Sequence, residues 1–126
     1  MGKPKLLLIE DNKEIVEMYL FKFKKEGFEV VVGETGQEGM EKAEKEHPDL
    51  ILLDILLPNT DGYEVLVKLR AMVGVSVPII MFSNLGQEDQ IKKGLNLGAT
   101  DYIVKANFTP TEVVAKIKSY LPVMQV

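Results

Sequence analysis

One aspartate interrupts the most apolar stretch of this chain, LILLDILLP from Leu50 to Pro58. Removing a carboxylate from water costs free energy unless a partner compensates the charge. The stretch is too short to span a membrane, and it suits a buried strand of about 4–8 residues that ends where the charge appears. We therefore expect Asp54 to lie at the carboxyl edge of a sheet, beside groups that balance its charge.

The length and composition indicate one soluble domain. The chain has 126 residues and no cysteine, so neither disulfides nor thiolate metal sites are expected, and we predict a single domain over residues 1–126 with no output domain. The net charge of -4 argues against direct binding to nucleic acid or to an anionic membrane. The apolar stretch near the first residue is too short for a signal peptide, so a cytoplasmic location is expected.

Strand and helix patterns alternate five times along the chain. Apolar runs predict strands at residues 5–9 and 28–32, in the stretch that ends at Asp54, and at 79–82 and 102–104. Helical spacing and end signals predict helices at about 12–25, 35–45, 62–72, 88–97 and 110–120, the fourth weakened by Gly94. Four capping boxes are expected, namely Asp11 with Glu14, Thr35 with Glu38, Asp61 with Glu64, and Thr109 with Glu112. The alternation predicts an α/β fold, a doubly wound parallel sheet with helices on both faces.

Chemically active side chains follow the predicted strands. Ligands of such sheets bind outside the carboxyl ends of the strands, where this chain places Glu10, Asp11, Asp54, Ser83 and Lys105. If the strands are neighbours, the three carboxylates would repel each other, and a hard dication such as Mg²⁺ would relieve that repulsion. Asp54 is then a candidate nucleophile for a phosphoryl group, with Ser83 and Lys105 as partners of the new oxygens.

These residues also resemble a known family. Glu10-Asp11, the segment from Asp54 to Gly62, Ser83, and the segment from Tyr102 to Lys105 are similar to the motifs of the receiver domain of bacterial two-component response regulators. The resemblance spans nearly the whole chain and implies a flavodoxin-like (βα)5 three-layer sandwich with strand order 2-1-3-4-5, an order for which a protein of this family is a standard example.

The resemblance also implies a function. Asp54 would accept a phosphoryl group from the phosphohistidine of a histidine kinase or phosphotransfer protein. Mg²⁺ would be held by Glu10, Asp11, Asp54 and the backbone carbonyl of Leu56. Such a chain is a signalling protein that catalyses only its own phosphorylation and slow dephosphorylation.

The output would then be a change in protein contacts. Ser83 and Tyr102 would form the switch pair, and the signal would leave through the fourth helix, the fifth strand and the fifth helix. The output partner is not identified by the sequence, and a phosphorylation-dependent homodimer is one candidate.

Three features depart from the family pattern. Ala106 stands where proline often follows the lysine, which leaves open whether the Lys105–Ala106 peptide bond is cis or trans. Asn84 replaces a small residue and is expected to narrow access to the phosphate. Leu56 and Leu85 are apolar at positions that tune dephosphorylation in the family, so we predict a long-lived phosphoryl state.

Four other interpretations compete with this one. A flavodoxin-type electron carrier would need Ser, Thr and Gly where Glu10 and Asp11 stand, because those acids would repel a flavin phosphate. A haloacid-dehalogenase-like phosphatase would need a second aspartate at the position of Leu56. A phosphorelay intermediate and a structural docking receiver stay open. Phe21 is predicted either to pack at the rim of the core or to be exposed and, with Met18, to help dock a kinase.

Overall fold

The computed structural model describes residues 2–122 and contains a five-stranded sheet with five α-helices. The strands of the sheet are β1 (Lys5–Ile9), β2 (Glu29–Gly33), β3 (Leu50–Leu53), β4 (Ile79–Ser83) and β5 (Asp101–Val104). The helices are α1 (Lys13–Lys25), α2 (Gly36–Glu46), α3 (Gly62–Val73), α4 (Glu88–Asn96) and α5 (Pro110–Ser119). A small antiparallel hairpin (Leu56–Leu57 with Thr60–Asp61) follows β3, and a 3-10 turn (Lys105–Asn107) follows β5.

The sheet is parallel throughout, with strand order β2-β1-β3-β4-β5. This confirms the predicted doubly wound, flavodoxin-like α/β fold. The order reverses between β1 and β3, whose paired residues run from Leu6 opposite Leu50 to Ile9 opposite Leu53. The carboxyl ends of these two strands therefore lie side by side at the switch point, where this fold class binds its ligands.

Two apolar layers enclose the sheet, because side chains alternate between the faces of each strand. On one face, α1 and α5 pack on Leu6, Leu8 and their neighbours; the buried helix residues there are Val16, Tyr19, Phe23, Val113, Val114 and Ile117. On the other face, α2 and α3 cover Leu7 and Ile9; their buried residues are Ala43, Val65, Leu66 and Leu69. On that second face, α4 buries fully only Gly94, so it is the least anchored helix of the described chain.

The observed N-caps of the helices differ in part from those that the sequence predicts. The capping box at Thr109 and Glu112 is confirmed. Thr35 caps α2 as expected, but the Glu38 carboxylate accepts from the Glu34 N–H at 3.3 Å rather than from Thr35, so the expected box is incomplete. The expected box of Asp11 with Glu14 is wrong: Asn12 is the N-cap, and its Oδ1 accepts the Ile15 N–H at 3.1 Å. Asp61 caps α3 by accepting the Tyr63 N–H, but its own N–H does not donate to Glu64 as a capping box requires. Asp11 is thereby left free of the capping role.

Helix α2 lies unusually close to the sheet at Gly39. A Cβ added there would stand 2.5 Å from Cδ1 of Ile9, a fully buried side chain that has no room to withdraw. We expect Gly39→Ala to lower the free energy of unfolding by about 1–3 kcal/mol, the usual cost of overpacking a core. Urea unfolding measures this change. The control is Gly94→Ala in α4, because its Cβ would meet Met81 and Tyr102 at 3.4 Å or more. This substitution should be neutral or stabilising. Equal losses of stability in both variants would contradict the packing argument.

Candidate functional site

The pairing of β1 with β3 brings two acids together. Ile9 and Leu53 are register partners, so the next residue on each strand is Glu10 or Asp54. The backbone continues this alignment: the Asp54 N–H donates to the Ile9 carbonyl at 3.1 Å, and the Glu10 N–H donates to the Gly33 carbonyl at 2.9 Å. The strand ends therefore hold both carboxylates in place before any ligand binds.

Asp11 completes a cluster of three carboxylates. Glu10, Asp11 and Asp54 each place one carboxylate oxygen so that all three oxygens lie within 4.8 Å of one another. Glu10 is only 1% exposed and Asp54 5% exposed. Burial raises the pKa of the Glu10 carboxyl above its usual range, and the nearby Asp54 adds to the effect, while Lys105 opposes it.

Among residues 2–122, Lys105 supplies the one positive charge in contact with these acids. Its Nζ donates to Oε1 of Glu10 and, at 3.1 Å, to Oδ2 of Asp54. The 3-10 turn after β5 presents this side chain across the end of the sheet. Three carboxylates and one ammonium leave a formal charge of -2, so the site still attracts a cation.

The carboxylate of Asp54 is fixed on both oxygens. Oδ1 accepts the Leu56 N–H at 3.0 Å, while Oδ2 accepts from Lys105. The Leu56 side chain itself is 56% exposed and turns away from the core. Oxygen ligands from adjacent carboxylates, with residual negative charge, are the donor set that Mg²⁺ prefers. The residues present therefore fit the metal that the sequence predicted.

Ser83 and Tyr102 both hold the loop between β4 and α4. The Oγ of Ser83, a fully buried residue, accepts the Leu85 N–H at 3.3 Å, and the hydroxyl of Tyr102 donates to the Leu85 carbonyl. Burial raises the pKa of Tyr102 to about 12, so the phenol keeps its proton at neutral pH. The two predicted switch residues are thus joined through one intervening loop residue.

The structure adds contacts that the sequence did not reveal. Oδ1 of Asn84 accepts the Ala106 N–H at 2.9 Å, and the described chain contains only trans peptide bonds, Lys105–Ala106 among them. The Tyr63 hydroxyl donates to the Gln90 carbonyl at 3.1 Å and ties α3 to α4. The replacement of proline by Ala106 could have signalled the first contact, because it introduces an N–H that needs an acceptor; no sequence pattern indicated the second.

A surface cavity opens above the acids. Its lining combines the three carboxylates with side chains from the start of α1 and from the loops after β3, β4 and β5: Glu10, Asp11, Asn12, Ile15, Asp54, Leu56, Asn84 and Lys105. Six of these residues are charged or amide-bearing, so the cavity suits a small polar ligand rather than an apolar cofactor. Ser83 and Tyr102 are not among the lining residues.

Asp101, at the start of β5, anchors α5 and carries a testable pH dependence. Burial disfavours its charged form, but hydrogen bonds from the Tyr120 hydroxyl (2.5 Å), the Tyr102 N–H (2.7 Å) and Lys116 (3.1 Å) outweigh it and hold the pKa of Asp101 below its usual range. A lowered pKa in the folded state adds stability above the ordinary aspartate pKa, and that stability is lost as the pH falls through the folded value.

We therefore expect Asp101→Asn to lower the free energy of unfolding by about 1 kcal/mol at pH 7. The difference from wild type should shrink as the pH falls below about 4. Urea unfolding between pH 2 and 7 measures both effects, with Glu17→Gln, at an exposed position in the middle of α1, as the control. A deficit that stayed constant down to the lowest pH would contradict the assigned pKa direction.

A flavodoxin-like sheet with an acidic, lysine-paired cluster at its switch point defines a receiver-type signalling domain rather than a classical enzyme. The family model of the response regulator receiver domain matches residues 6–118. The chain therefore belongs to the response regulator receiver domain family of two-component systems, as its motifs predicted.

Relatives and solved structures agree with this assignment. The chain is 39% identical over 117 residues, 93% of its length, to the alkaline phosphatase synthesis transcriptional regulatory protein PhoP of Bacillus subtilis, of which the match covers 48%. Thus the chain spans about half the length of the curated relatives it matches. A CheY-like receiver domain protein of Methanospirillum hungatei superposes with a TM-score of 0.87 at 30% identity, covering 94% of this chain and 93% of that one. The BeF₃-activated receiver domain of RstA from Klebsiella pneumoniae gives 0.85 at 31% identity, with 92% and 97% covered.

No helix within residues 2–122 combines the length and apolar character that crossing a bilayer requires.

Proposed function

We propose that this chain is a phosphorylation-dependent response regulator in which Asp54 accepts a phosphoryl group. The observation that carries the proposal is the placement of Asp54: a nearly buried carboxylate, held at Oδ1 by the Leu56 amide and at Oδ2 by Lys105, facing a polar cavity. The donor would be the phosphohistidine of a histidine kinase or of a phosphotransfer protein, as in a phosphorelay.

The reaction is a transfer between two side chains. A carboxylate oxygen of Asp54 forms a bond to phosphorus while the bond from phosphorus to the donor imidazole nitrogen breaks, and that nitrogen retains the electron pair. Lys105 contacts Asp54 already and would follow the charge onto the phosphoryl oxygens. The Ser83 hydroxyl would donate to one of them after releasing the Leu85 N–H.

Glu10, Asp11, Asp54 and the backbone carbonyl of Leu56 are the groups that would hold Mg²⁺. When bound, the ion would offset the charge that the phosphoryl group brings to an already negative site. The chain's own contribution is the fixed positions of the three carboxylates, set by the ends of β1 and β3.

The signal would pass through the loop after β4. Ser83 and Tyr102 both bond to Leu85, so a Ser83 hydroxyl that turned to the phosphate would weaken the contact that keeps Tyr102 attached to the same loop. Helix α4 buries only Gly94 fully and is easily shifted by a few kcal/mol of new hydrogen bonding. The surface of α4, β5 and α5 is therefore the proposed output face, for a partner protein or a second copy.

Helix α1 is the proposed docking surface for the phosphodonor. Phe21 is 73% exposed and Met18 is also exposed, which favours the second of the two interpretations given above for Phe21. Asn12 and Ile15, at the start of the same helix, line the cavity. A donor that covered α1 would therefore lie next to Asp54.

The experiment that tests the proposal is intact-mass analysis after treatment with acetyl phosphate. With Mg²⁺, wild type should gain the mass of one phosphoryl group, and peptide mapping should place it on Asp54; with a chelator the gain should be absent. Beryllofluoride, which activated the Klebsiella receiver domain, is a second probe. Absence of a Mg²⁺-dependent adduct would reject the proposal in favour of a docking receiver that works without phosphorylation.

The phosphoryl group on Asp54 should be long-lived. Leu56 lies two residues after Asp54, and Leu85 lies in the loop between β4 and α4. Both side chains are apolar and offer no hydrogen bond to an attacking water. We expect Leu56→Asn, which adds a polar group at the exposed cavity wall, to shorten the lifetime several-fold. Loss of the adduct is followed by mass spectrometry after the donor is removed, with Val67→Asn on exposed α3 surface as the control. A wild-type lifetime of only seconds would contradict this expectation.

A further inference from the structure

Asn84 bridges the two segments that follow β4 and β5, next to Ser83 and Lys105. It directly follows β4, and its Oδ1 accepts the N–H of Ala106, the residue after Lys105, at 2.9 Å. Ala106 has this N–H because it is not proline, and its peptide bond to Lys105 is trans. Asn84 therefore provides the acceptor that the alanine at position 106 requires.

The hydrogen bond to Ala106 uses the oxygen of the Asn84 carboxamide, which leaves its NH₂ group to act as a donor. A carboxamide has one acceptor oxygen and two N–H donors on its nitrogen. The oxygen accepts from Ala106, and a phosphoryl oxygen can only accept, so the NH₂ group is the part of the side chain that can bind such a ligand. Asn84 lines the same cavity as Asp54, Lys105 and the other two acids, so this side chain borders the space that a phosphoryl group on Asp54 would enter.

We propose that Asn84 is a further phosphoryl-binding residue, whose NH₂ group donates a hydrogen bond to an oxygen of the phosphoryl group on Asp54. This inference rests on the proposed function and extends it. The Ala106 amide holds the carboxamide plane before the ligand arrives, so little rotamer entropy is lost when the hydrogen bond forms. Asn84 is expected from the sequence to narrow access to the phosphate. In this proposal it also supplies a hydrogen-bond donor at the cavity wall.

A loop tie without ligand contact is the competing explanation, and Asn84→Asp separates the two. Aspartate keeps an oxygen for the Ala106 N–H, so the tie persists, but it replaces the NH₂ group with a second oxygen that repels an anion. Asn107→Asp is the matched control, because it adds the same charge in the adjacent 3-10 turn, outside the residues that line the cavity. Asn84→Ala removes both the tie and the donor.

The measurements are made on uniformly ¹⁵N-labelled protein. Beryllofluoride affinity in the presence of Mg²⁺ comes from an NMR titration, and hydrogen exchange of the Ala106 amide is followed without metal. We expect Asn84→Asp to weaken beryllofluoride binding by roughly 10- to 100-fold, since a hydrogen bond to a charged group is lost and repulsion is added. Asn107→Asp should bind beryllofluoride with an affinity within about threefold of wild type, which is a smaller effect than the loss of one hydrogen bond. Ala106 exchange should be slow in wild type and Asn84→Asp, and fast in Asn84→Ala.

Three results would overturn the inference. Unchanged affinity in Asn84→Asp would reduce Asn84 to a loop tie. An equal loss in Asn107→Asp would assign the effect to charge at a distance. Fast exchange of the Ala106 amide in wild type would remove the bridge itself. Failure of wild type to bind beryllofluoride is a different result, since it would reject the phosphoryl-acceptor proposal while the Ala106 exchange still reported on the bridge.

Discussion

Asp54→Asn is expected to abolish the phosphoryl adduct while making the metal-free protein more stable. The amide is not a nucleophile for phosphorus, so no Mg²⁺-dependent mass gain should be detected. Asparagine keeps an oxygen for the Leu56 N–H. It carries no charge, so the formal charge of the site falls from -2 to -1 and the repulsion between Asp54 and buried Glu10 is removed. We expect the free energy of unfolding to rise by about 1–2 kcal/mol, the gain typical of relieving a functional site.

Urea unfolding with and without Mg²⁺ measures the second effect. Wild type should gain stability with Mg²⁺ according to its affinity for the ion, and Asp54→Asn should gain less because one ligand oxygen has lost its charge. Glu17→Gln removes the same formal charge from an exposed position in the middle of α1 and should change neither property. A metal-free Asp54→Asn that was less stable than wild type would show that the Lys105 contact outweighs the repulsion among the acids.

The sequence was sufficient to predict the fold because its signals were strong and local. Unbroken apolar runs such as Lys5–Ile9 specify buried parallel strands, and Thr109-Pro110 followed by Glu112 marks a helix start in three independent ways. The Asp11 cap was predicted wrongly because Asp11 and Asn12 are both good capping residues, and spacing alone does not choose between neighbours. Strand order came from the family resemblance, since pairing between distant strands leaves no local pattern.

The site was predictable as a set of residues but not as a set of contacts. Alternation of strands and helices placed Glu10, Asp54 and Lys105 at one edge of the sheet. It did not reveal that Lys105 contacts both acids, because that geometry depends on the 3-10 turn after β5. Bonds to backbone groups, such as that from Tyr63 to the Gln90 carbonyl, were also invisible, since every residue offers the same backbone acceptor.

Lys105→Met should have the opposite effect on stability from Asp54→Asn. Methionine fills a similar volume but leaves Glu10 and Asp54 buried without a cation, and removing one partner of a buried charge pair costs about 3–5 kcal/mol. Burial already raises the pKa of Glu10 with Lys105 in contact, and loss of the lysine should raise it further. An acid with a raised folded-state pKa is stabilised by proton uptake, so the deficit should shrink as the pH falls from neutral toward the ordinary glutamate pKa.

Millimolar Mg²⁺ should also restore much of the lost stability, because a dication held by the three carboxylates replaces the missing positive charge. Urea unfolding at pH 5 and 7, with and without Mg²⁺, measures these effects. Lys92→Met is the control: its pair with Glu88, at 3.0 Å, is exposed on α4 and should contribute less than about 0.5 kcal/mol at either pH. If Lys105→Met lost no more stability than Lys92→Met, the charge of Lys105 would be dispensable in the unphosphorylated protein, and its role would begin only when a phosphoryl group arrives.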